Sequence, residues 1–148
     1  MNEIAKLAIA SLKDGRKMYS SYDVGKQLDR QRGYLALDNF DYESLFSTTF
    51  GMNKADRIAT FDSGSTHAMT LTAVDLDKDG NPLKWKVENS WGASNGVGGC
   101  FIMTNDWFNE YMFRLVVNNE YVPAELLKEY EQKPLMVMPE DPLFGEDM

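Results

Sequence analysis

The sequence predicts an α+β domain in which an antiparallel sheet is flanked by helices. Three observations carry that expectation. A helical apolar period opens the chain, two strand-like segments joined by turn residues occupy its middle, and short helical segments follow a glycine-rich loop. At 148 residues the chain suffices for one domain with a hydrophobic core and is too short for two ordinary ones. Its 43% hydrophobic content, with three Trp, seven Tyr and eight Phe, marks a folded chain.

Residues 3–12 place Ile4, Leu7, Ala8 and Leu12 at helical spacing, and Asp14-Gly15 supplies a stop. In "KMYSSYDVGK" the residues Met18, Tyr19, Tyr22 and Val24 favour a short strand ending at Gly25. The following stretch, 27–60, has no sustained period and predicts a long ordered excursion with one or two short helices. Its aromatic residues Tyr34, Phe40, Tyr42, Phe46 and Phe50 suggest that it packs against something. "HAMTLTAVDL" is continuously small or apolar and predicts a strand buried on both faces. "PLKWKVEN" alternates, with Leu83, Trp85, Val87 and Asn89 on one face and Lys84, Lys86 and Glu88 on the other. Turn residues between them fold a hairpin about Lys78 to Gly80, which brings His67 opposite the stretch from Asn89 to Gly92. Beyond the loop "GASNGVGG" come a strand at Cys100 to Met103, a helix capped by Asn105 or Asp106, and a strand at "RLVVN". A helix with Pro123 at its first position and an extended acidic tail complete the chain.

Charge and composition exclude several function classes. A formal net charge of -8, with no Lys/Arg run longer than two, argues against a nucleic-acid partner. Glu3, Lys6 and Lys13 interrupt the apolar start, and no apolar run approaches the ~18 residues of a membrane span, so a cytoplasmic location is expected. One cysteine allows no intrachain disulfide, in keeping with a reducing compartment. One His and one Cys make no zinc pattern. Asp75, Asp77, Asp79 and Gly80 match the first half of a calcium loop, yet its twelfth position is Lys86 where a bidentate Glu is required. Neither a metal nor another cofactor is expected.

The chemistry centres on His67, the sole histidine. A lone histidine ahead of a strand is ordinarily structural. Two features favour a catalytic role here: His67 shares a hairpin end with Asn89 on an otherwise apolar face, and Ser90, Trp91 and Gly92 follow at once.

At these residues the chain resembles the papain-like cysteine peptidases, whose histidine opens an "HA" strand and whose asparagine lies in "NSWG". The stretches "STHAMTLTAVDLDKDGNPLKWKVENSWG", "YDVGKQLDR", "DYESLF" and "DWFNEYMFRLVVNNEYVP" are similar to the bleomycin hydrolase or aminopeptidase C family in particular, over nearly the whole chain. The resemblance implies the C-terminal part of such an enzyme. Residues 1–137 would form the His- and Asn-bearing right-hand domain with a partly barrel-like sheet, and residues 138–148 a C-terminal tail. It further implies a Cys-His-Asn centre in which His67 takes the thiol proton, Asn89 orients the ring, and Trp91 covers their contact from water.

The family's "Gln…Cys-Trp" stretch, which holds the nucleophile, has no counterpart among these residues. Cys100 follows both His67 and Asn89 on an apolar strand, a setting that does not activate a thiol. Tyr22 stands where the family strand carries a cysteine. In the family the C-terminal residues lie in the cleft of a homohexameric barrel, and the terminal carboxylate holds a substrate's amino group. "MPEDPLFGEDM" resembles that tail through Met138-Pro139 and Asp141-Pro142, which would give Met148 the gating role; a solvated acidic tail is the alternative. Two functions from different classes follow. One is half of an aminopeptidase site, with a peptide substrate once an N-terminal Cys-bearing half completes it. The other is a non-catalytic binding or assembly module, or a gene remnant that keeps the fold. Both leave the face of His67, Asn89 and Trp91 open for a partner or for self-association.

Overall fold

The computed structural model describes residues 3–142. Its elements are α1 (Glu3–Lys13), β1 (Met18–Tyr22), β2 (Leu28–Asp29), β3 (Tyr34–Leu35), α2 (Tyr42–Phe46), α3 (Lys54–Ala59), β4 (His67–Leu76), β5 (Pro82–Glu88), β6 (Cys100–Thr104), α4 (Asn105–Tyr111), β7 (Met112–Leu115) and α5 (Ala124–Tyr130), with a 3-10 turn at Asn119–Tyr121. The strands form one curled sheet in the order β2-β3-β6-β5-β4-β1-β7. The fold is α+β as the sequence predicts. Pairing is antiparallel throughout except between β3 and β6, which run parallel.

Helix α1 buries Ala5, Ala8, Ile9 and Ser11, of which all but Ile9 are small and let it approach β4 closely, while Ile4 is exposed. The buried stripe is therefore rotated from the expected one. It follows the side chains that fit a close helix-to-sheet contact and not the largest ones. Over the sheet's inner face lie Tyr22, Leu71, Trp85, Val87, Phe101, Met103, Trp107 and Phe108, all fully buried. Trp85 stacks on Phe108 at 4.3 Å between ring centroids. The two indoles keep their N–H groups satisfied, Trp107 donating to the Lys26 carbonyl (2.8 Å) and Trp85 to Asn105 Oδ1 (3.2 Å).

The central hairpin turns at Gly80, whose φ of 84 suits glycine. The Asp77 carboxylate accepts from the amides of Asp79 and Asn81, both at 2.8 Å. Those bonds, the one from the Asn81 amide foremost, hold the Asp77 carboxyl below the usual aspartate range. This carboxylate is thus engaged by its own turn.

Several expectations are corrected by register. Strand β4 is not buried on both faces: Met69 and Leu71 point inward while Ala68 and Thr70 are exposed. Leu83 is exposed as well, because Leu76 pairs with Pro82 and Asp75 with Lys84, so a bulge at Leu83 removes it from the face of Trp85. The cap of α4 is Thr104, whose hydroxyl accepts from Trp107 N, and neither Asn105 nor Asp106. The strand expected at 114–118 begins two residues earlier, at Met112. Pro123 occupies the N-cap of α5, one position before its first residue. In the excursion, Phe40, Tyr42, Phe46 and Phe50 are exposed. Tyr42 contacts both Phe40 and Phe46, so these rings pack on one another at the surface. Of the tail, residues 138–142 are described, with the Asp141 amide donating to the Met138 carbonyl (3.0 Å). The gating expectation at Met148 falls outside the described residues.

Candidate functional site

His67 opens β4 beside β1, directly opposite Tyr22. The two residues before it are tied to β1. Thr66 donates its amide to the Tyr22 carbonyl (3.0 Å) and accepts from the Val24 amide (3.1 Å), and Ser65 bonds Ser21 (2.9 Å). These bonds set the strand's start and hence the imidazole's position.

Asn89 ends β5 and donates its own amide to the Gly99 carbonyl (2.9 Å). Its Oδ1 lies 2.8 Å from His67 Nε2 and also accepts from the Ser90 amide at 2.8 Å. Of the two ends of the Asn89 side-chain amide only the oxygen can accept an N–H, so the Ser90 contact fixes which end faces the ring. His67 Nε2 must then carry the proton. The remaining nitrogen, Nδ1, makes no hydrogen bond with the described residues and is the atom able to accept a proton.

Trp91 lies against the imidazole, ring centroids 4.8 Å apart at 31°, and meets Phe101 edge-on at 5.7 Å. The Trp91 carbonyl accepts from Asn95 Nδ2 (2.6 Å), Asn95 Oδ1 accepts from Arg30 Nε (2.8 Å), and the Arg30 guanidinium stands 4.7 Å over the Trp91 ring. Of the residues picked out from the sequence, His67 therefore has both Asn89 and Trp91 in contact with its ring. Arg30 and Asn95 were not foreseen. They lie in segments without periodicity, where no local sequence signal points at a contact 65 residues away.

An open depression of about 410 Å³ borders the same asparagine on the outer sheet face. Tyr19, Thr70 and Glu88, aligned across β1, β4 and β5, give it an aromatic wall and a carboxylate, with Ala68 and Ser90 leaving the space between them. Among the described residues no cluster of three or more metal-ligating side chains occurs, and no helix is long and apolar enough to cross a membrane.

Cys100 is elsewhere. It begins β6 opposite Glu88, in the outward row with Ile102, while Phe101 and Met103 point into the core. Glu88 in turn faces Thr70, so two strand spacings and three residues separate Cys100 from His67, roughly 14 Å. Cys100 thus lies well outside reach of the imidazole for proton transfer.

Residues 1–144 match the model of the Peptidase C1-like family. The chain is 41% identical to aminopeptidase C of Lactococcus lactis over 143 residues, covering 97% of this chain and 33% of that protein. It is likewise 41% identical to human bleomycin hydrolase, covering 95% of this chain and 31% of the relative. The crystal structure of PepW from Lactobacillus rhamnosis HN001 superposes with a TM-score of 0.88 at 43% identity, covering 95% of this chain and 32% of the other. The chain spans about a third of the length of the relatives it matches.

Proposed function

Because the chain belongs to the Peptidase C1-like family, we propose that it carries the histidine and asparagine of a cysteine aminopeptidase centre, the C-terminal part of such an enzyme, completed by a cysteine from outside these residues. The observation that carries this reading is the short His67–Asn89 contact, which leaves Nδ1 as the proton acceptor. The names of the relatives, aminopeptidase C and bleomycin hydrolase, support the aminopeptidase class.

In the proposed reaction, the incoming thiol passes its proton to His67 Nδ1. The thiolate attacks the carbonyl after the substrate's first residue, forming a C–S bond and a tetrahedral oxyanion. Collapse breaks the C–N bond as Nδ1 returns the proton to the leaving amine. Water, deprotonated by the same Nδ1, then cleaves the thioester and restores the thiol. Asn89 holds the ring throughout by accepting from Nε2, and as a neutral group it adds no buried charge. A thiolate nucleophile suits a reducing compartment such as the cytoplasm.

The experiment is complementation. The purified chain is mixed or co-expressed with the remaining two thirds of aminopeptidase C from Lactococcus lactis, and hydrolysis of a fluorogenic aminoacyl amide is measured with and without a thiol alkylating agent. The expected result is that the chain alone is inactive and the complemented sample is active, with activity abolished by alkylation and by His67→Ala. A complex that forms and stays inactive assigns the chain to the binding or assembly class. Activity of the chain alone that alkylation stops would make Cys100 the nucleophile and overturn the reading.

A further inference from the structure

We propose that Arg30 is a positioning residue for the His67–Asn89 pair, acting on it through Trp91; the catalytic meaning of that pair rests on the function proposed above. Arg30 grips Trp91 at both ends. Its guanidinium stands 4.7 Å over the indole, and its Nε reaches Asn95, which in turn donates to the Trp91 carbonyl. Arg30's own carbonyl accepts from the Gly96 amide (3.3 Å), so its backbone is fixed to the same loop.

The approach of the two segments is permitted by paired glycines. A Cβ at Gly33 would fall 2.5 Å from Gly96 Cα, and a Cβ at Gly96 would fall 2.5 Å from both the Phe101 ring and the Cys100 carbonyl. No other residue type allows the excursion to lie this close to the loop.

Charge argues for a specific role. The chain carries a net charge of -8, yet among the described residues Arg30 makes no ion pair, whereas its neighbour Arg32 is paired with Asp29. An arginine with carboxylates available in excess has its planar cation on the face of a half-buried indole. That indole packs on the imidazole, so holding it in place keeps water from the Nε2–H to Oδ1 bond. Loss of Arg30 leaves Trp91 hinged at one end. The His67 ring then gains access to solvent with no contact to Arg30 itself having been broken at the ring.

The test uses the chain as it is. Because His67 is the only histidine, its Nε2–H gives one assignable imidazole signal, and its solvent exchange is read by NMR beside core amides such as Val87 as an internal standard. Arg30→Ala is expected to speed Nε2–H exchange about tenfold, the scale set by one cation–π contact and one hydrogen bond, with the Val87 amide unchanged. Trp91→Ala should speed it at least as much, and the double variant no more than Trp91→Ala alone, since the effect passes through the indole. Arg30→Lys should recover only part, lacking the planar fork. An unchanged rate in Arg30→Ala, or additive rates in the double variant, would overturn the proposal. Should Arg30→Ala fail to fold, Asn95→Ala severs the same chain at its second link and decides the question by the same signal. None of these readouts requires activity, so they stand or fall apart from the complementation result.

Discussion

Tyr22 shows how much a single side chain can set. It stands opposite His67 and is fully buried between Trp107 and Phe108, and its hydroxyl has no partner in hydrogen-bonding geometry. A buried hydroxyl left in this state costs about 1–3 kcal/mol. Tyr22→Phe is therefore expected to stabilise the fold at neutral pH by about 1 kcal/mol, an upward Tm shift of roughly 2–4 °C for a chain of this size. The same burial pushes the phenol's ionisation above the ordinary tyrosine range, opposed by the nearby Ser20 hydroxyl, whose hydrogen-bonding geometry is met at the Met69 carbonyl (3.0 Å) and not at the phenol. The unfolded chain thus releases this proton first as pH rises. The stability associated with the neutral phenol is full below about pH 10, the ordinary tyrosine value, and is lost as pH climbs above it, at about 1.4 kcal/mol per pH unit. Lys54 works in the opposite direction in the same window, since burial, and then Arg57, lower its pKa and its penalty fades as the ammonium deprotonates. Comparing wild type with Tyr22→Phe cancels Lys54. Urea unfolding across neutral to alkaline pH should show the variant's alkaline limb flattened by one proton; a variant less stable at neutral pH would mean that the hydroxyl has a partner in solution.

Among the elements, legibility in the sequence tracks how local the forces are. The β4–β5 hairpin could be read because alternation and turn chemistry act within two dozen residues, and it brought His67 to Asn89. Leu83 was misplaced because one bulged residue flips a side chain to the other face without changing the composition that predicts a strand. Strands β2 and β3 were invisible, two residues each, and they exist through pairing with each other and with β6, some 70 residues on. Arg30 belongs to the same class of long-range contact. Helix α3 is an intermediate case. Its start is local, with Asn53 and Asp56 forming a capping box, but its docking is not. Lys54 donates to the carbonyls of Asn109 (3.1 Å) and Met112 (2.6 Å), and Arg57 pairs with Glu110 and lies over Tyr111. With no buried residue of its own, α3 is held to α4 and the start of β7 by these two cations. Arg57→Ala should therefore release α3 as a local unit, costing about 1–3 kcal/mol there. Hydrogen exchange would show it as about 5- to 150-fold faster exchange of the Thr60 and Phe61 amides, with β5 and β6 amides unchanged. Protection lost evenly across β4 to β6 would show instead that α3 is part of the global core.

For the molecule as a whole, the balance is between apolar surface and charge. Leu45, Phe46 and Phe50 in the excursion are 62–70% exposed, and Tyr130, Leu135 and Met136 near the C-terminal end are 85–89% exposed. Apolar side chains left this open are available to bury against another surface. The described residues leave this apolar surface uncovered. Burying it against a second copy gains the hydrophobic term, about 25 cal/mol per Å², and brings two bodies of net charge -8 together. That repulsion is long-ranged and screened by salt, whereas the apolar gain is not. The two terms predict a signature: association rising with protein concentration, and stronger in high salt than in low. Sedimentation velocity over a concentration series at low and high ionic strength measures both. Phe46→Ser with Phe50→Ser should weaken the association in both salts, since it removes the apolar gain and leaves the charge unaltered. Association that weakens with salt would point to ion pairing between copies, and a single monomeric boundary at every concentration would show that these exposed side chains drive no association.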